Sequence, residues 1–585
     1  MLLIEKRSII TAKSFLNYYY YLYFIINLFL FNKMPQMQKI VILSLIVYTI
    51  SFKCGHNMLA HIKPKVLDLG NSTTNKTRKL DTSTPYEPIR FYIDDTQIKS
   101  QVSSTITLAY IQEILDALKS AISMFESILK VQRSSTVSVS TTSPDLGLNV
   151  ISDAVKAGVP ADIIIFPLFF DGLGVGVEAA ATPLHTLVNG RPCSGVVMLN
   201  KKNYNFQKNN AKDYLIMLLF HELTHVLVFS DKLFINFVGV TTPLTNKVIN
   251  GVQRTFLSTP KVVETAKKYF GCSRLTGVEL ENQGGTGTVN GHWETRVMLG
   301  DYMIGSDYGE TVISEITLAV FEDSGWYKVN YYTGGLFRYG KNKGCSFLEE
   351  KCVQSDTEVI SGNEFCLKTT EPFCLSCRTG RGICYITKHT SIPAEYQYFS
   401  NPTIGGYEPS DYCPVAYAKS EESYYYPSSC RFGKSDSFPD ELGQVIGDKS
   451  VCMMSSLTPK TGKGLDDYRN KMRSMCYPIT CNTSSKTVIV TVGNSAIECA
   501  KEGGKITVEG YDGEVYCPDY NLVCTGTTFC TDPIQCLKAK SEPLTETFTY
   551  DYIPNNDQNV GATKSGSSYI RLSLYFVLML ALGLF

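Results

Sequence analysis

The sequence predicts an α+β fold in which a mixed sheet and a central helix form one domain, followed by a disulfide-rich domain of strands and loops. Two observations predict the first part. Short apolar segments alternate with a helical pattern between residues 86 and 228, and the apolar run at residues 214–220 contains no Gly or Pro. The third observation is a change at Cys345, after which Cys recurs between short runs rich in Tyr, Ser and Gly.

Four segments of the first half have the pattern of regular elements. Residues 89–93 and 161–166 are predicted strands. Residues 193–200 are a third predicted strand, expected at the edge of a cleft, where a peptide could add as a further strand. A helix is predicted between the first two strands by apolar residues at helical spacing, namely Ile111, Ile114, Leu115, Leu118, Ile122, Phe125 and Leu129.

The middle of the chain predicts an insertion and a second helix. Residues 229–290 are expected to form a mainly helical subdomain, with a helix around residues 260–270. Residues 306–326 are predicted as a helix, because Ile313, Ile316 and Val320 have helical spacing and Gly325 follows the end.

Composition excludes some classes of protein and favours others. The 585 residues include 55 basic and 55 acidic side chains, so nothing favours nucleic acid as a partner. Nineteen Cys, ten of them after residue 400, indicate an oxidising compartment. Cys374 and Cys377 have the spacing of half a zinc knuckle, but no second such pair follows, so disulfides are expected there.

The apolar run at residues 214–220 leads directly into His221-Glu222-Leu223-Thr224-His225. Residues four apart lie on one face of a helix, so His221 and His225 direct their imidazoles to one point, as two ligands of a tetrahedral zinc require. Glu222 can reach water activated by the metal and take its proton. A helix that carries two His by chance is the alternative, but the chain has only seven His.

Two His leave a catalytic zinc site incomplete, because such sites have three protein ligands and one open position. His292 stands in Gly291-His292-Trp293-Glu294, and Met303 follows eleven residues later. From the residues alone, a loop histidine is the simpler interpretation of His292, and Met303 can be an ordinary core residue.

Taken in order, these motifs resemble the leishmanolysin family of surface metalloproteases. The resemblance continues through residues 319–327 to Gly344-Cys345 and covers roughly residues 86–350, with a looser likeness in the Cys-rich remainder. It implies a metzincin fold and one Zn²⁺ per chain. It also implies a role for four residues: the metal ligands would be His221, His225 and His292, and Met303 would form the apolar floor beneath the metal.

One position departs from the metzincin pattern. Metzincins have Gly three residues after the second His, where the chain turns, and here that residue is Val228. A β-branched residue resists a positive φ. We therefore expect either a longer helix or a turn of another geometry.

The N-terminal residues have the pattern of targeting and processing segments. Residues 15–31 are rich in Tyr and Phe, and residues 40–52 have the length and charge order of a signal peptide, with Met34 or Met37 as alternative starts. A membrane anchor is the alternative. Residues 54–85 are polar and turn-rich, as in a propeptide. Glycosylation sequons begin at Asn71 and Asn75, and a third begins at Asn482.

Cys54 is the expected cysteine switch. In the leishmanolysin family a Cys-x-His of the propeptide blocks the zinc, and Cys54-Gly55-His56 is similar. Nineteen Cys is an odd number, so we expect the other eighteen to close as nine bridges and the Cys54 thiolate to occupy the fourth zinc position. The alternative is that Cys54 is removed with the signal peptide.

The C-terminal residues resemble a signal for attachment of a glycosylphosphatidylinositol (GPI) anchor. Residues 572–585 are apolar and follow a polar stretch, and Gly561 best fits the attachment site. A tail anchor is the alternative.

The predicted domains are residues 1–53 (extension and signal peptide), 54–85 (propeptide), 86–228 and 229–344 (catalytic subdomains), 345–548 (Cys-rich domain) and 549–585 (linker and anchor signal). The predicted function is that of a zinc endopeptidase, made as a zymogen and tethered to the cell surface by a glycolipid, with proteins or peptides as substrates. A catalytically idle surface adhesin on the same fold and an intracellular metal-binding protein are the competing hypotheses.

The predicted anchor has a direct test. Phosphatidylinositol-specific phospholipase should release the protein from intact cells, because it cuts the glycolipid that links the chain to the membrane. Deletion of residues 572–585 should give a secreted or retained form, detected by immunoblotting of medium and cells. Retention on the membrane after both treatments would favour a tail anchor.

Overall fold

The computed structural model describes residues 53–59, 61–67, 85–174, 176–201, 211–283, 288–306, 311–331, 337–361, 364–418, 429–430, 442–447, 449–461, 465–500 and 503–524. The predictions for the signal peptide, for Asn71 and Asn75 and for the anchor signal with Gly561 lie outside these residues.

The described residues form ten α-helices, all but two of them shorter than a dozen residues. Their bounds are α1 Thr96–Ser100, α2 Leu108–Ile128, α3 Asp153–Ala157, α4 Ala211–Leu227, α5 Asp231–Phe234, α6 Pro260–Phe270, α7 Thr295–Met298, α8 Glu315–Asp323, α9 Gly344–Glu349 and α10 Tyr520–Val523.

The strands before the Cys-rich domain are β1 Lys53–Cys54, β2 Lys65–Leu67, β3 Tyr86–Pro88, β4 Phe91–Ile93, β5 Leu129–Gln132, β6 Ile163–Phe170, β7 Val177–Leu187, β8 Pro192–Asn200, β9 Leu244–Ile249, β10 Val252–Leu257, β11 Val278–Glu279 and β12 Tyr327–Val329. The predicted strands at residues 89–93, 161–166 and 193–200 and the helix at residues 111–129 all correspond to observed elements.

The strands of the Cys-rich domain are mostly short, as the sequence predicted. They are β13 Val353–Ser355, β14 Glu358–Val359, β15 Pro372–Cys374, β16 Arg381–Cys384, β17 Thr387–Lys388, β18 Ile404–Gly405, β19 Ala416–Tyr417, β20 Ser450–Ser455, β21 Thr458–Pro459, β22 Arg473–Asn482, β23 Thr487–Val492, β24 Ser495–Cys499, β25 Lys505–Ile506, β26 Tyr511–Asp512 and β27 Val515–Tyr516.

The main sheet is mixed and has the order β1-β7-β8-β6-β4, with β2 also paired to β7. Strands β4, β6 and β8 run parallel, and β7 runs antiparallel to β8. The prediction that residues 193–200 form the edge strand is therefore wrong, because β8 pairs on both sides. Strand β7 lies outside it, and its outer side pairs with β1 and β2 from the expected propeptide. Strands β7 and β8 are both almost fully buried, so their residue pattern alone could not show which of them lies nearer the edge of the sheet.

Helix α4 lies at the centre of the core. It packs on β7 and β8, where Val226 lies over Gly195, and against α2, where the Phe125 and Phe220 rings stack with centroids 4.1 Å apart. In the described part of the chain, the stretch Tyr214–Phe234 alone is long and apolar enough to cross a membrane, but 89% of its most apolar window is buried inside the protein. Its apolar character therefore serves the core.

The insertion differs from its prediction. Helix α6 has the expected position, and Gly271, with φ of 70°, ends it. The region is nevertheless not mainly helical, because β9, β10 and β11 form a three-stranded antiparallel sheet within it. The turn residues Asn250 and Gly251, with φ of 52° and 84°, close the hairpin between β9 and β10.

The helix predicted at residues 306–326 is shorter than expected. It begins only at Glu315, because the Ser314 hydroxyl accepts a hydrogen bond from the Thr317 N–H and caps the first turn. Just before the cap, Val312 pairs with Asp301 in an isolated bridge, which holds that stretch extended.

Seven disulfides join described residues between Cys272 and Cys524. The pairs are Cys272–Cys345, Cys352–Cys413, Cys366–Cys384, Cys374–Cys452, Cys430–Cys476, Cys481–Cys524 and Cys499–Cys517. The expectation of nine bridges with Cys54 alone unpaired is wrong. Cys193 also keeps a free thiol, buried in β8 within an apolar cluster, and burial raises its pKa to about 12. Cysteine parity cannot detect a thiol that serves as a small apolar core residue.

The contact between α4 and β8 predicts a stability effect. A Cβ at Gly195 would lie 2.2 Å from Val226 Cγ1, so Gly195→Ala should force α4 away from the sheet and cost about 1–3 kcal/mol of unfolding free energy. Thermal unfolding followed by circular dichroism measures the loss. Gly174→Ala is the matched control, because nothing lies within 4 Å of its added Cβ. An equal effect of both changes would contradict the close approach.

Candidate metal centre

The first two candidate ligands lie on the last turns of α4. His221 and His225 are 2% and 0% exposed, and their ring centroids are 4.8 Å apart. The apolar residues before them bury the helix, so the polar imidazoles meet inside the protein. Glu222, the residue after His221, is also fully buried.

The turn after α4 resolves the question that Val228 raised. Helix α4 ends at Leu227, and the N–H groups of Val228 and Phe229 both lie 2.9 Å from the Thr224 carbonyl oxygen. Val228 does not adopt a positive φ and its side chain is fully buried. The chain therefore turns with a different geometry, one that a β-branched residue can adopt.

The third His comes from the segment that follows the insertion. His292 is fully buried, and its neighbour Trp293 fixes the backbone there. The Trp293 N–H donates to the Met303 carbonyl at 3.0 Å, and Trp293 Nε1 donates to Thr317 Oγ1 at 2.7 Å. These bonds bring a loop histidine, 67 residues from His225, against α4.

The Nε2 atoms of the three imidazoles face one another. His225 Nε2 lies 3.0 Å from His221 Nε2 and 3.2 Å from His292 Nε2, and the distance between His292 Nε2 and His221 Nε2 is 3.3 Å. A tetrahedral zinc with Zn–N bonds of about 2.0–2.1 Å separates its nitrogen ligands by about 3.3 Å. The spacing of the three nitrogens therefore fits that metal.

The opposite nitrogen of each ring is held by a backbone carbonyl, which fixes the tautomer. A carbonyl oxygen only accepts, so each Nδ1 carries the proton and each Nε2 presents a lone pair to the common centre. The three contacts are His221 Nδ1 to Tyr302 O at 2.6 Å, His225 Nδ1 to Phe229 O at 2.8 Å and His292 Nδ1 to Thr288 O at 3.1 Å.

The three Nε2 atoms are not protonated, so their lone pairs repel one another. Burial lowers the pKa of His221 to about 4 and holds the pKa of His225 and of His292 well below its ordinary value. All three rings are therefore neutral at pH 7, the form in which imidazole binds a metal. The donor set and its environment fit a zinc ion.

Glu222 has the surroundings of a functional carboxyl group. No N–H or O–H group of the described residues donates to either of its oxygens. Burial raises its pKa to about 8, and the neighbouring Cys54 thiol partly offsets this effect. A buried carboxyl group to which no N–H or O–H group donates costs stability, and such groups are common at functional sites.

Cys54 reaches the same centre from the expected propeptide. Its Sγ lies 3.3 Å from His225 Nε2, and its ligand atom and those of the three His lie within 4.8 Å of one another. Burial and the Glu222 carboxylate both raise the pKa of the Cys54 thiol. A cation at the centre would reverse this effect and favour the thiolate.

His56 packs against His225 and β7, and the sequence around His56 did not predict these contacts. Its ring stacks on that of His225 with centroids 4.0 Å apart, and its Nδ1 lies 2.6 Å from the Ala181 carbonyl oxygen. Burial lowers the pKa of His56, so the stacked ring is neutral. The motif Cys54-Gly55-His56 thus contacts both the metal centre and β7.

Met303 lies in the segment that carries a carbonyl to His221. Its side chain is fully buried, and its N–H donates to Asp301 Oδ1 at 2.7 Å. Its role as the floor of the site stays a prediction. No sequence signal pointed to the neighbouring Tyr302, whose carbonyl accepts a hydrogen bond from His221 Nδ1 and whose hydroxyl lies 3.1 Å from Thr224 Oγ1.

The remaining predicted residues lie away from this centre. His185 is buried, with Nδ1 2.8 Å from the Ser194 hydroxyl. Asn482 ends β22, and its side-chain oxygen accepts from the N–H groups of Ser484 and Ser485.

Two His one turn apart on a buried helix, a Glu between them and a third His from a later segment define a site of the metalloprotease class. Comparison with known families agrees. The model of the family described as Leishmanolysin matches residues 109–530, and the chain belongs to this family of metalloproteases.

Individual relatives show the same likeness. A leishmanolysin homolog of Crithidia fasciculata is 30% identical over 360 residues, which cover 60% of this chain and 53% of that protein. Leishmanolysin of Leishmania tropica is 27% identical over 371 residues, with 60% and 53% covered. A leishmanolysin-like peptidase of Drosophila melanogaster is 28% identical over 323 residues, with 50% and 46% covered. The chain thus spans about half the length of the curated relatives it matches.

Proposed function

We propose that the protein is a zinc-dependent endopeptidase that hydrolyses peptide bonds in proteins and is made in a latent form. The observation that carries this proposal is the convergence of three neutral imidazole Nε2 atoms within 3.3 Å of one another, beside the buried carboxyl group of Glu222.

The chain's own residues would divide the work. His221, His225 and His292 would hold the metal, with the carbonyls of Tyr302, Phe229 and Thr288 orienting the rings. A bound zinc ion polarises the scissile carbonyl and lowers the pKa of a water molecule. Glu222 would take the proton from the attacking water and later give it to the leaving amine.

Strand β7 supports a peptide as substrate. Its outer side already pairs with extended segments of the same chain, through Lys53–Cys54 and Lys65–Leu67, and the Gly55 N–H donates to the Ala179 carbonyl at 2.9 Å. An extended substrate could use the same main-chain groups once those segments have left, with affinity from the backbone and specificity from the side chains.

Latency is supported by the position of Cys54. Its sulfur lies where the fourth ligand of a three-His zinc would lie, and water needs that place for hydrolysis. Display at the cell surface is proposed from the sequence of residues 549–585 alone.

The general-base role predicts the effect of Glu222→Gln. The amide cannot accept the proton, so proteolysis should fall by about 10²–10⁴-fold or more, while metal content stays near one zinc per chain. Casein hydrolysis by the processed protein and metal analysis by mass spectrometry measure the two quantities. Glu264→Gln, at an exposed position of α6, is the control. A fully active Glu222→Gln protein would rule out the mechanism.

The latency proposal predicts the effect of Cys54→Ala. In a form that begins at Met34, the unprocessed variant should hydrolyse casein and should not respond to mercurials, because no thiolate competes with water. Cys193→Ala is the matched control, since it removes a buried thiol that lies away from the metal centre and should leave latency intact.

If the Cys54→Ala protein stays silent until the propeptide is cut, Cys54 is not the block, and the segment of residues 55–85 must occlude the cleft sterically. Sequencing of the secreted N-terminus shows whether Cys54 is retained.

A further inference from the structure

A second group of buried acidic side chains lies close to the third His. Oxygen atoms of Glu279, Glu294 and Asp411 lie within 4.8 Å of one another, and the three residues are 3%, 0% and 0% exposed. Glu294 is two residues from His292, and the Glu294 N–H donates to the Glu279 carbonyl at 3.0 Å. This group, which we call the carboxylate cluster, contains no residue of the metal centre.

The carboxylate cluster joins three distant regions. Glu279 belongs to β11 of the insertion, Glu294 caps the short helix α7 after His292, and Asp411 follows a turn of the Cys-rich domain. Asp411 has a left-handed backbone with φ of 53°, and so has Tyr412 with φ of 60°. Two consecutive residues of this kind are unfavourable, so other interactions must hold Asp411 in place.

The positive charge nearby does not balance the cluster. Arg254 Nη1 lies 2.6 Å from Glu279 Oε1 and 2.9 Å from Asp411 Oδ2. Arg296 directs its guanidinium elsewhere, to the carbonyls of Leu348 and Glu350. When all three carboxyl groups are ionised, they and the one contacting guanidinium carry a net charge of about −2 in a buried space, which is costly unless it is neutralised.

Hydrogen bonds satisfy two of the three carboxylates. The Asn282 side-chain amide donates to Glu294 Oε2 at 2.9 Å and to Glu279 Oε1 at 3.3 Å, and the Arg296 N–H donates to Glu294 Oε1 at 3.0 Å. The fully buried Asp411 side chain forms an ion pair with Arg254 through Oδ2, and its Oδ1 receives no hydrogen bond from the described residues. A buried carboxylate oxygen without a donor, such as Asp411 Oδ1, calls for a further partner.

The pKa of Glu279 also indicates that the cluster has too little positive charge beside it. Burial raises its pKa to about 7, although the contact with Arg254 lowers it. One guanidinium is therefore too little to stabilise the ionised cluster at neutral pH.

We propose that Glu279, Glu294 and Asp411 bind a divalent cation, and that the cation is calcium. All three ligands are hard oxygen donors, which suit calcium or magnesium and not zinc, whose site here has nitrogen and sulfur donors. Magnesium keeps several waters, whereas calcium accepts dense oxygen coordination in a buried site. A charge of +2 would neutralise the cluster and fix the Cys-rich domain to the segment that carries His292.

Terbium luminescence and thermal unfolding test the site on the full chain with its zinc in place. Terbium replaces calcium at oxygen sites and luminesces when a nearby tyrosine absorbs light. Tyr396 is suitably placed, because its hydroxyl donates to Asn282 Oδ1 at 3.0 Å. We expect one terbium per chain, displaced by calcium, and a rise of Tm when calcium is added.

Asp411→Asn should weaken terbium binding about tenfold or more and remove the calcium effect on Tm, because affinity depends on the number of charged ligands. Glu279→Gln is the second variant, for the case that Asp411→Asn does not fold. Asp153→Asn, whose side chain is 99% exposed on α3, is the control and should behave as the unchanged protein.

Two outcomes would overturn the proposal. If calcium neither displaces terbium from the unchanged protein nor raises its Tm, protons and Arg254 neutralise the cluster and no cation binds. If a folded Asp411→Asn or Glu279→Gln protein keeps both responses in full, the cation binds elsewhere. Neither outcome concerns peptidase activity, so this test and the test of the proposed function can fail independently.

Discussion

The structure depends on one constraint: three neutral imidazoles must present lone pairs to a single buried point. The protein meets this constraint because each Nδ1–H donates a hydrogen bond to a backbone carbonyl. The three carbonyls come from the turn after α4, the segment before α8 and the loop before His292. Each ring is thus fixed by backbone that other packing already holds, through Trp293, Asp301 and the α4–sheet contact. Three lone pairs that face one another repel, and a bound cation would remove this repulsion. Metal binding would therefore add to the free energy of unfolding.

The sequence predicted what local spacing controls. The helix with His221 and His225, the strands around it and helix α6 follow from periodicity, and the two His lie together because one helical turn separates them. His292 could be placed only through resemblance, because its position depends on a tryptophan that pairs with residues up to 24 positions away. Periodicity could not show which of two apolar strands is the edge, since β7 and β8 are both almost fully buried. Parity of cysteines also failed, because Cys193 serves packing and not bridging.

The Cys-rich domain is part of the structure around the site rather than an appendage to it. Residues from its first part, among them Phe365 and Val415, share one apolar core with α4 and with the segment of His292, whereas residues between 442 and 524 form a separate core. Arg254 of β10 also contacts Asp411 of this domain. The disulfide Cys352–Cys413 ends two residues after Asp411 and limits how far that turn can move. Few, short contacts therefore connect this turn of the Cys-rich domain to the segment that carries His292.

The pairing of β7 with the expected propeptide has a consequence for the protein after processing. Strands β1 and β2 cover the outer main-chain groups of β7, and they would leave with residues 53–67. The sheet would then end in an eleven-residue, largely apolar strand with unpaired N–H and C=O groups, the kind of edge along which proteins aggregate. Pro183 within β7 has no N–H to offer and would interrupt such growth. If the segment is removed as proposed, the same cut that opens the cleft would also give the molecule a surface that favours self-association.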